Sequence, residues 1–120
     1  MTDRDRRGAE RRGCHAETLA AAWLTLKGYH VLASRVRLPV GEIDLIARRR
    51  TVLAFVEVKQ RAHLHDALQA VTPRAWDRIS RAAEVWASSQ PHASQLDWRF
   101  DLVAITPLSR PRHFRDYWRP

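Results

Sequence analysis

Asp44, Glu57 and Lys59 have the residue types and the spacing for metal-assisted chemistry on a phosphodiester. Asp44 lies in Glu42-Ile43-Asp44-Leu45, and the other two lie in Phe55-Val56-Glu57-Val58-Lys59. Strand side chains alternate between faces, so Glu42 and Asp44 share one face of their segment, as do Phe55, Glu57 and Lys59 of theirs. If the two segments form a hairpin with Arg49-Arg50 as a two-residue loop, Arg48 faces Thr51, Asp44 faces Phe55 and Glu42 faces Glu57. Glu42, Asp44, Glu57 and Lys59 then converge on one side of the sheet. A three-residue loop would put Asp44 and Glu57 on opposite faces, and the metal reading would fall with it. Clustered carboxylates repel one another, and a divalent cation relieves the conflict. Mg²⁺ or Mn²⁺ between Asp44 and Glu57 would be held by the two acids, waters and a substrate oxygen. Such an ion polarises a phosphodiester and acidifies an attacking water. Lys59, a compact ammonium on the same face, suits the task of orienting that water or offsetting phosphate charge.

A Glu-x-Lys pair on a strand is also what a solvated face looks like. Two features argue for more. Leu53-Ala54-Phe55-Val56 is apolar on both faces, as in a central strand, and charges at the partly buried positions of such a strand are costly. Among 21 Lys and Arg residues, only Lys27 and Lys59 are lysines, so lysine at this position stands out.

The elements that would position these residues are legible in outline. Apolar residues at three- and four-residue spacing predict a helix from about Ala9 to Lys27, closed by Gly28, with residues 1–8 as a flexible tail. Strands follow at Tyr29–Leu38, Gly41–Ala47 and Thr51–Gln60. The segment 63–72 reads as a short helix or a loop. Thr72 and Pro73 start a second long helix that runs to about Ser89. Trp76, Ile79, Ala83, Trp86 and Ala87 form its buried stripe, with Arg74, Arg78 and Arg81 on the far side. A fourth strand covers Leu96–Ile105, and a fifth, short edge strand covers Arg112–Trp118. The order is α-β-β-β-α-β with one added strand: a single α/β domain over 1–120, its mixed sheet flanked by helices.

Composition sets outer limits. The 120 residues are 45% hydrophobic and 28% charged, which excludes wholesale disorder. No apolar run nears the roughly 18 residues of a membrane span. Arg11-Arg12 ahead of an apolar stretch resembles a secretion signal, but Glu17 interrupts that stretch and no small-residue cleavage site follows, so a cytoplasmic protein is expected. A single cysteine, Cys14, allows no internal disulfide. The net charge of +8 makes nucleic acid, above all DNA, the expected partner, and no membrane-binding helix is apparent. Arg48-Arg49-Arg50 and the Arg74/Arg78/Arg81 stripe are the candidate phosphate contacts. Solvated faces are the ordinary alternative.

The string Gly41-Glu42-Ile43-Asp44-Leu45-Ile46, with Phe55-Val56-Glu57-Val58-Lys59 and Arg61, resembles the YraN-like family of small bacterial proteins. That family is related to the PD-(D/E)-x-K, restriction-endonuclease-like nucleases. Gly13-x-x-x-Glu17 and Arg99-Phe100-Asp101 resemble its first-helix and late-strand signatures. The resemblance implies a restriction-endonuclease-like αβββαβ core and a metal-dependent endonuclease, on branched DNA by analogy with Holliday-junction resolvases. Asp44, Glu57 and Lys59 would be the metal and catalytic residues, Glu17 a helix-borne helper, and Arg61 a further DNA contact. The chain departs from the pattern at Ala75, where the family commonly has lysine; Arg74 or Arg78 would then have to substitute.

The residues themselves leave alternatives open. Glu17 sits at the edge of its helix's buried stripe and would either face the sheet or pair with an arginine. Glu42 suits a strand-entry carboxylate better than a metal ligand. Asp101 is expected to pair with an arginine and serve structure. His63 and His65 lack a third metal ligand, Cys14 lacks a histidine partner, and Trp98 and Trp118 suit packing better than base stacking. A non-catalytic nucleic-acid-binding module on the same scaffold, acting in DNA repair, recombination or uptake, is the alternative function. A resolvase-like role would need a homodimer.

Overall fold

The computed structural model describes the backbone from residue 3 onward and the side chains from residue 15 onward. Of the expected tail, residues 1–2 lie outside that description and residues 3–8 are described by their backbone alone, as are Gly13 and Cys14. Helix α1 spans Asp3–Leu26. Strands β1 (His30–Leu38), β2 (Gly41–Arg49) and β3 (Val52–Gln60) form a meander, and the short helix α2 (Leu64–Leu68) and the longer α3 (Pro73–Ser88) follow. Strands β4 (Asp97–Ile105) and β5 (Arg112–Trp118) complete a five-stranded sheet in the order β1-β2-β3-β4-β5. Only β3 and β4 run parallel, so the sheet is mixed and β3 is its central strand.

Both predicted helix signals act as read. Gly28 takes φ +90, its N–H bonds the Thr25 carbonyl, and the Tyr29 N–H bonds the Leu24 carbonyl. This is a Schellman closure, and it needs a residue free to enter the left-handed region. Thr72 caps α3 by accepting the Ala75 N–H at 3.1 Å, with Pro73 in the first turn. Residues 64–68, ambiguous in the sequence, are helical.

Two clusters divide the core between the faces of the sheet. Ala16, Ala20 and Leu24 of α1 pack with Tyr29, Leu45, Ala47, Ala54, Val56, Val58, Val103 and Ile105. Trp76, Ile79, Ala82, Ala83 and Ala87 of α3 pack with Ile43, Ile46, Leu53, Phe55, Phe100 and Leu102 on the other face. Trp98 and Trp118 belong to this packing. Trp98 meets the Phe55 ring at 5.2 Å and donates its indole N–H to the Ala93 carbonyl, and Trp118 stacks on Trp76 at 5.8 Å. Among the described residues no helix is long and apolar enough to cross a membrane.

The hairpin register differs from the expected one. Arg49 pairs with Val52 and Leu45 with Val56, so the two-residue loop is Arg50-Thr51 rather than Arg49-Arg50. Arg50 has φ +55, the left-handed geometry that tight hairpins require. The shift is two residues, which preserves parity. Continued past Leu45, this register sets Asp44 opposite Glu57 instead of Phe55.

Strict alternation along β2 also fails. Ile43 joins Ile46 on the α3 side, while Leu45 and Ala47 face α1. The cause is local. The β2–β3 ladder stops at Leu45 and Val56, and the β1–β2 register shifts between Val31 and Ala33, so the strand twists as it leaves the sheet.

Candidate active site

The split between β2 and β3 is what makes the site. Beyond Leu45 no backbone carbonyl of β2 takes the Val58 N–H; the Asp44 carboxylate takes it instead, through Oδ2 at 2.8 Å. Asp44 thereby sits in the gap, reached from both faces. Glu57 comes from the α3 side and is hydrogen-bonded to it. Glu17 comes from α1 on the other side and is hydrogen-bonded to it as well. Strand alternation alone predicts Glu42, Asp44, Glu57 and Lys59 on one face. Glu42, Glu57 and Lys59 do line one groove, but Asp44 lines a smaller cleft with Glu17, Arg35 and Arg37. The corrected geometry joins three acids in a row, Glu17–Asp44–Glu57, with Asp44 in the middle.

The electrostatics follow from that row. Burial raises the Glu57 pKa most. The charge of Asp44 and the hydrogen bond to it add to this, and Lys59 opposes, leaving Glu57 pushed up to about 9. The Lys59 ammonium lies 3.6 Å from Glu57 Oε1, yet that contact does not outweigh burial and the neighbouring acid. Glu17 is also raised, by burial first and Asp44 second, against the pull of Arg35 and Arg37. Arg35, at φ +50, brings its Nε to 3.6 Å from Glu17. Both readings of Glu17 therefore hold together: it faces the acids and it has an arginine.

The row is not a cage, because among the described residues no three His, Cys, Asp or Glu side chains are gathered closely enough to enclose an ion. Mg²⁺ needs no cage, since one or two carboxylates with waters and a phosphate oxygen suffice. Neighbouring carboxyls, with Glu57 raised to about 9 by burial and by Asp44, suit such an ion, which would relieve their mutual repulsion. Asp44 and Glu57 would hold it, with Glu17 beside them.

Glu57 and Lys59 open onto a groove of about 440 Å³ between the β1–β2 turn and α3, lined also by Gly41, Glu42, Ala75 and Arg78. The floor is set by a close approach: a Cβ on Gly41 would lie 2.8 Å from the Arg78 carbonyl oxygen. Ala75 thus occupies the lining position where lysine was expected from the resemblance. Arg78, one turn further along the helix, also lines the groove, whereas Arg74 does not. Arg81 is exposed and paired with Asp77 at 2.6 Å. Arg61 is exposed just past Lys59, its guanidinium on the Gln60 carbonyl. Arg48, Arg49 and Arg50 lie at the opposite end of β3, about 17 Å from Glu57 at strand rise, and are exposed. They do not join the acid site.

A second polar network was only half legible. Asp101 is the one buried charged residue among those described. As expected it pairs with an arginine, Arg99, through two 2.8 Å bonds. The sequence did not reveal that His113 Nε2 lies 2.7 Å from the same carboxylate, that the Asp116 N–H donates to it, or that Lys27 Nζ lies 2.6 Å from His113 Nδ1. An ammonium can only donate, so Nδ1 accepts and Nε2 carries the proton given to Asp101. Burial alone would raise the Asp101 pKa; the bonds from His113, Arg99 and the Asp116 amide outweigh it and hold the carboxyl below its usual range. Pairing across 86 residues leaves no local signal, and His113 looked like one scattered histidine among six.

A central parallel pair within an otherwise antiparallel sheet, helices on both faces and acids gathered where the sheet splits define an α/β protein compatible with a restriction-endonuclease-like core. Comparison with known proteins makes the assignment specific. The chain matches the Uncharacterised protein family UPF0102 over residues 16–105, and it belongs to that family. It is 54% identical to a UPF0102 protein of Rhodopseudomonas palustris (strain BisB18) over 109 residues, covering 91% of this chain and 81% of the relative. It is 52% identical to one from Bradyrhizobium diazoefficiens, with 91% and 82% covered, and 48% identical to one from Maricaulis maris (strain MCS10), with 98% and 92% covered.

Proposed function

We propose that the protein is a cytoplasmic metal-dependent endonuclease that hydrolyses DNA phosphodiester bonds at the Asp44–Glu57–Lys59 site. The observation that carries this reading is the buried Glu57 set against Asp44 where the sheet splits, with the Lys59 ammonium 3.6 Å from Glu57 and both Glu57 and Lys59 lining a groove. A fold does not adopt that arrangement for stability, because it holds two acids together out of water.

A bound Mg²⁺ or Mn²⁺ would polarise the phosphodiester and acidify the attacking water. Asp44 and Glu57 would hold it, Glu57 giving up its proton to do so. Lys59 would set its ammonium against the phosphate oxygens, offsetting charge as the water oxygen bonds to phosphorus and the ester P–O bond breaks. Arg78 and Arg61, beside the groove and at its end, would contact flanking phosphates. Glu17 would position Asp44 from the helix side. The net charge of +8 supports a polyanionic substrate.

The test is cleavage of linear, single-stranded, flapped and four-way DNA with Mn²⁺, Mg²⁺ or EDTA, alongside a Lys59→Met variant checked by thermal melt. Metal-dependent cutting that disappears in the folded variant is expected. Retarded DNA mobility with no cutting of any substrate would replace this reading with a non-catalytic binding module.

A further inference from the structure

The acid site absorbs few of the basic residues, and a group of cations lies elsewhere. Lys27, Arg49, Arg99 and Arg115 gather where the C-terminus of α1 meets the β2–β3 tip and β5. The placement is rigid. The Schellman turn fixes Lys27 and Tyr29 on either side of Gly28. Tyr29 is buried, its ring flanked by the Arg49 guanidinium at 6.0 Å and that of Arg99 at 5.8 Å, with the His113 ring edge-on at 5.7 Å. Lys27 is anchored to His113, which is itself anchored to Asp101.

The negative charge in this assembly is already committed. Asp101 is saturated by Arg99, His113 and the Asp116 amide. Asp116 pairs with Arg119. Among the described residues no carboxylate pairs with Lys27, Arg49 or Arg115. Three cations thus stand together beside a saturated acid, and the Lys27 pKa falls through burial first and then through Arg115, with Arg99 and Arg49 adding and Asp101 opposing. A surface serving only the fold would separate such charges or pair them. One that receives an anion has reason to hold them ready.

We propose that Lys27, Arg49 and Arg115 form a second phosphate-contact site for the backbone of the nucleic acid, fixed by the Tyr29–His113–Asp101 network and separate from the acid groove. This rests on the proposed action on DNA and extends it with a footprint. Glu17 on α1 and Lys27 in the turn that closes it are ten residues apart, about 15 Å along the helix axis. At 3.4 Å per nucleotide step that is four to five nucleotides from the acids. DNA lying along α1 would touch both ends, so the hairpin-tip arginine Arg49 acts at a distance from the chemistry rather than in it.

The experiment is a fluorescence-anisotropy titration of a labelled duplex of about 20 bp in EDTA, over a range of KCl concentrations, with Arg49→Gln/Arg115→Gln and Lys27→Met. Each lost contact should reduce the slope of log K against log salt by about 0.9, which is about eightfold in affinity at 0.1 M salt extrapolated from 1 M. Lys27→Arg should keep the contact that Lys27→Met loses. Arg49 and Arg115 are exposed, so their double variant should melt near the parent temperature. Wild-type slope and affinity in that folded double variant would overturn the proposal. Failure of the nuclease reading looks different: no cleavage and no metal-induced stabilisation in the parent, while the salt slope still falls in the variants.

Discussion

Replacing Glu57 by Gln should stabilise the metal-free protein above pH 6, although it removes a carboxyl group 3.6 Å from a lysine. In the unfolded chain this carboxyl ionises near its ordinary value of 4.5, whereas in the fold it keeps its proton up to about 9. Between those values the folded state binds the extra proton, so stability falls as pH rises, by about 1.4 kcal/mol per pH unit. The contribution of Glu57 is intact below pH 4.5 and erodes progressively until about pH 9. At pH 7.5 the full loss would be three units, about 4 kcal/mol. Burying the Gln amide keeps part of that cost, so about 2 kcal/mol should be recovered. Gln has nearly the shape of the protonated acid and still offers an N–H to Asp44, so the packing is kept. For a domain of this size the gain corresponds to a melting temperature about 6 °C higher at pH 7.5, with no difference at pH 4.5. Thermal melts in EDTA across that range are the assay. A lower melting temperature for Glu57→Gln at pH 7.5 would mean that Glu57 is ionised and that its pairing with Lys59 holds the fold together. Burial would then not be what sets the ionisation of Glu57.

Three further outcomes follow from the same geometry. Mn²⁺ or Mg²⁺ should raise the melting temperature of the parent, by more at pH 8 than at pH 6 because binding must displace the Glu57 proton, and should not raise that of Glu57→Gln; differential scanning fluorimetry at several metal concentrations reads this. Asp101→Asn should cost about 3–5 kcal/mol in urea unfolding, because it strips the charge that Arg99 and His113 are built around. Gly41→Ala should cost about 1–3 kcal/mol, because the added methyl meets the Arg78 carbonyl oxygen and β2 and α3 must part.

The parts of this protein that local chemistry decides were readable from the sequence. Gly28 and Thr72-Pro73 mark helix ends by their own backbone needs, and the apolar run Leu53–Val56 marks a strand buried on both faces. Asp44 and Glu57 could be paired because parity survives a two-residue register shift, so the right residues come together although the expected loop lies one position early. What alternation cannot show is where it stops. The twist that sends Ile43 to one face and Leu45 to the other arises from the end of a ladder and a shift in β1, neither of which has a signature in β2. The arginine runs were visible as charge, but which of them borders the groove depends on which end of β3 each sits at. His113 and Lys27 needed the chain to close on itself before either had a partner.

The bond from the Val58 amide to Asp44 has a consequence for how this site can change over time. The acid is also a piece of the sheet, standing in for the missing backbone acceptor. Alanine at this position would strand a buried N–H as well as remove a ligand, so loss of chemistry and loss of folding would arrive together. Asparagine alone separates the two, because its side-chain oxygen can still accept from Val58 while its neutral amide no longer competes for a cation. A lineage that had abandoned the reaction but kept the scaffold would have one short route open at this residue, and the amide found there would record the retirement of the enzyme without any scar in its architecture.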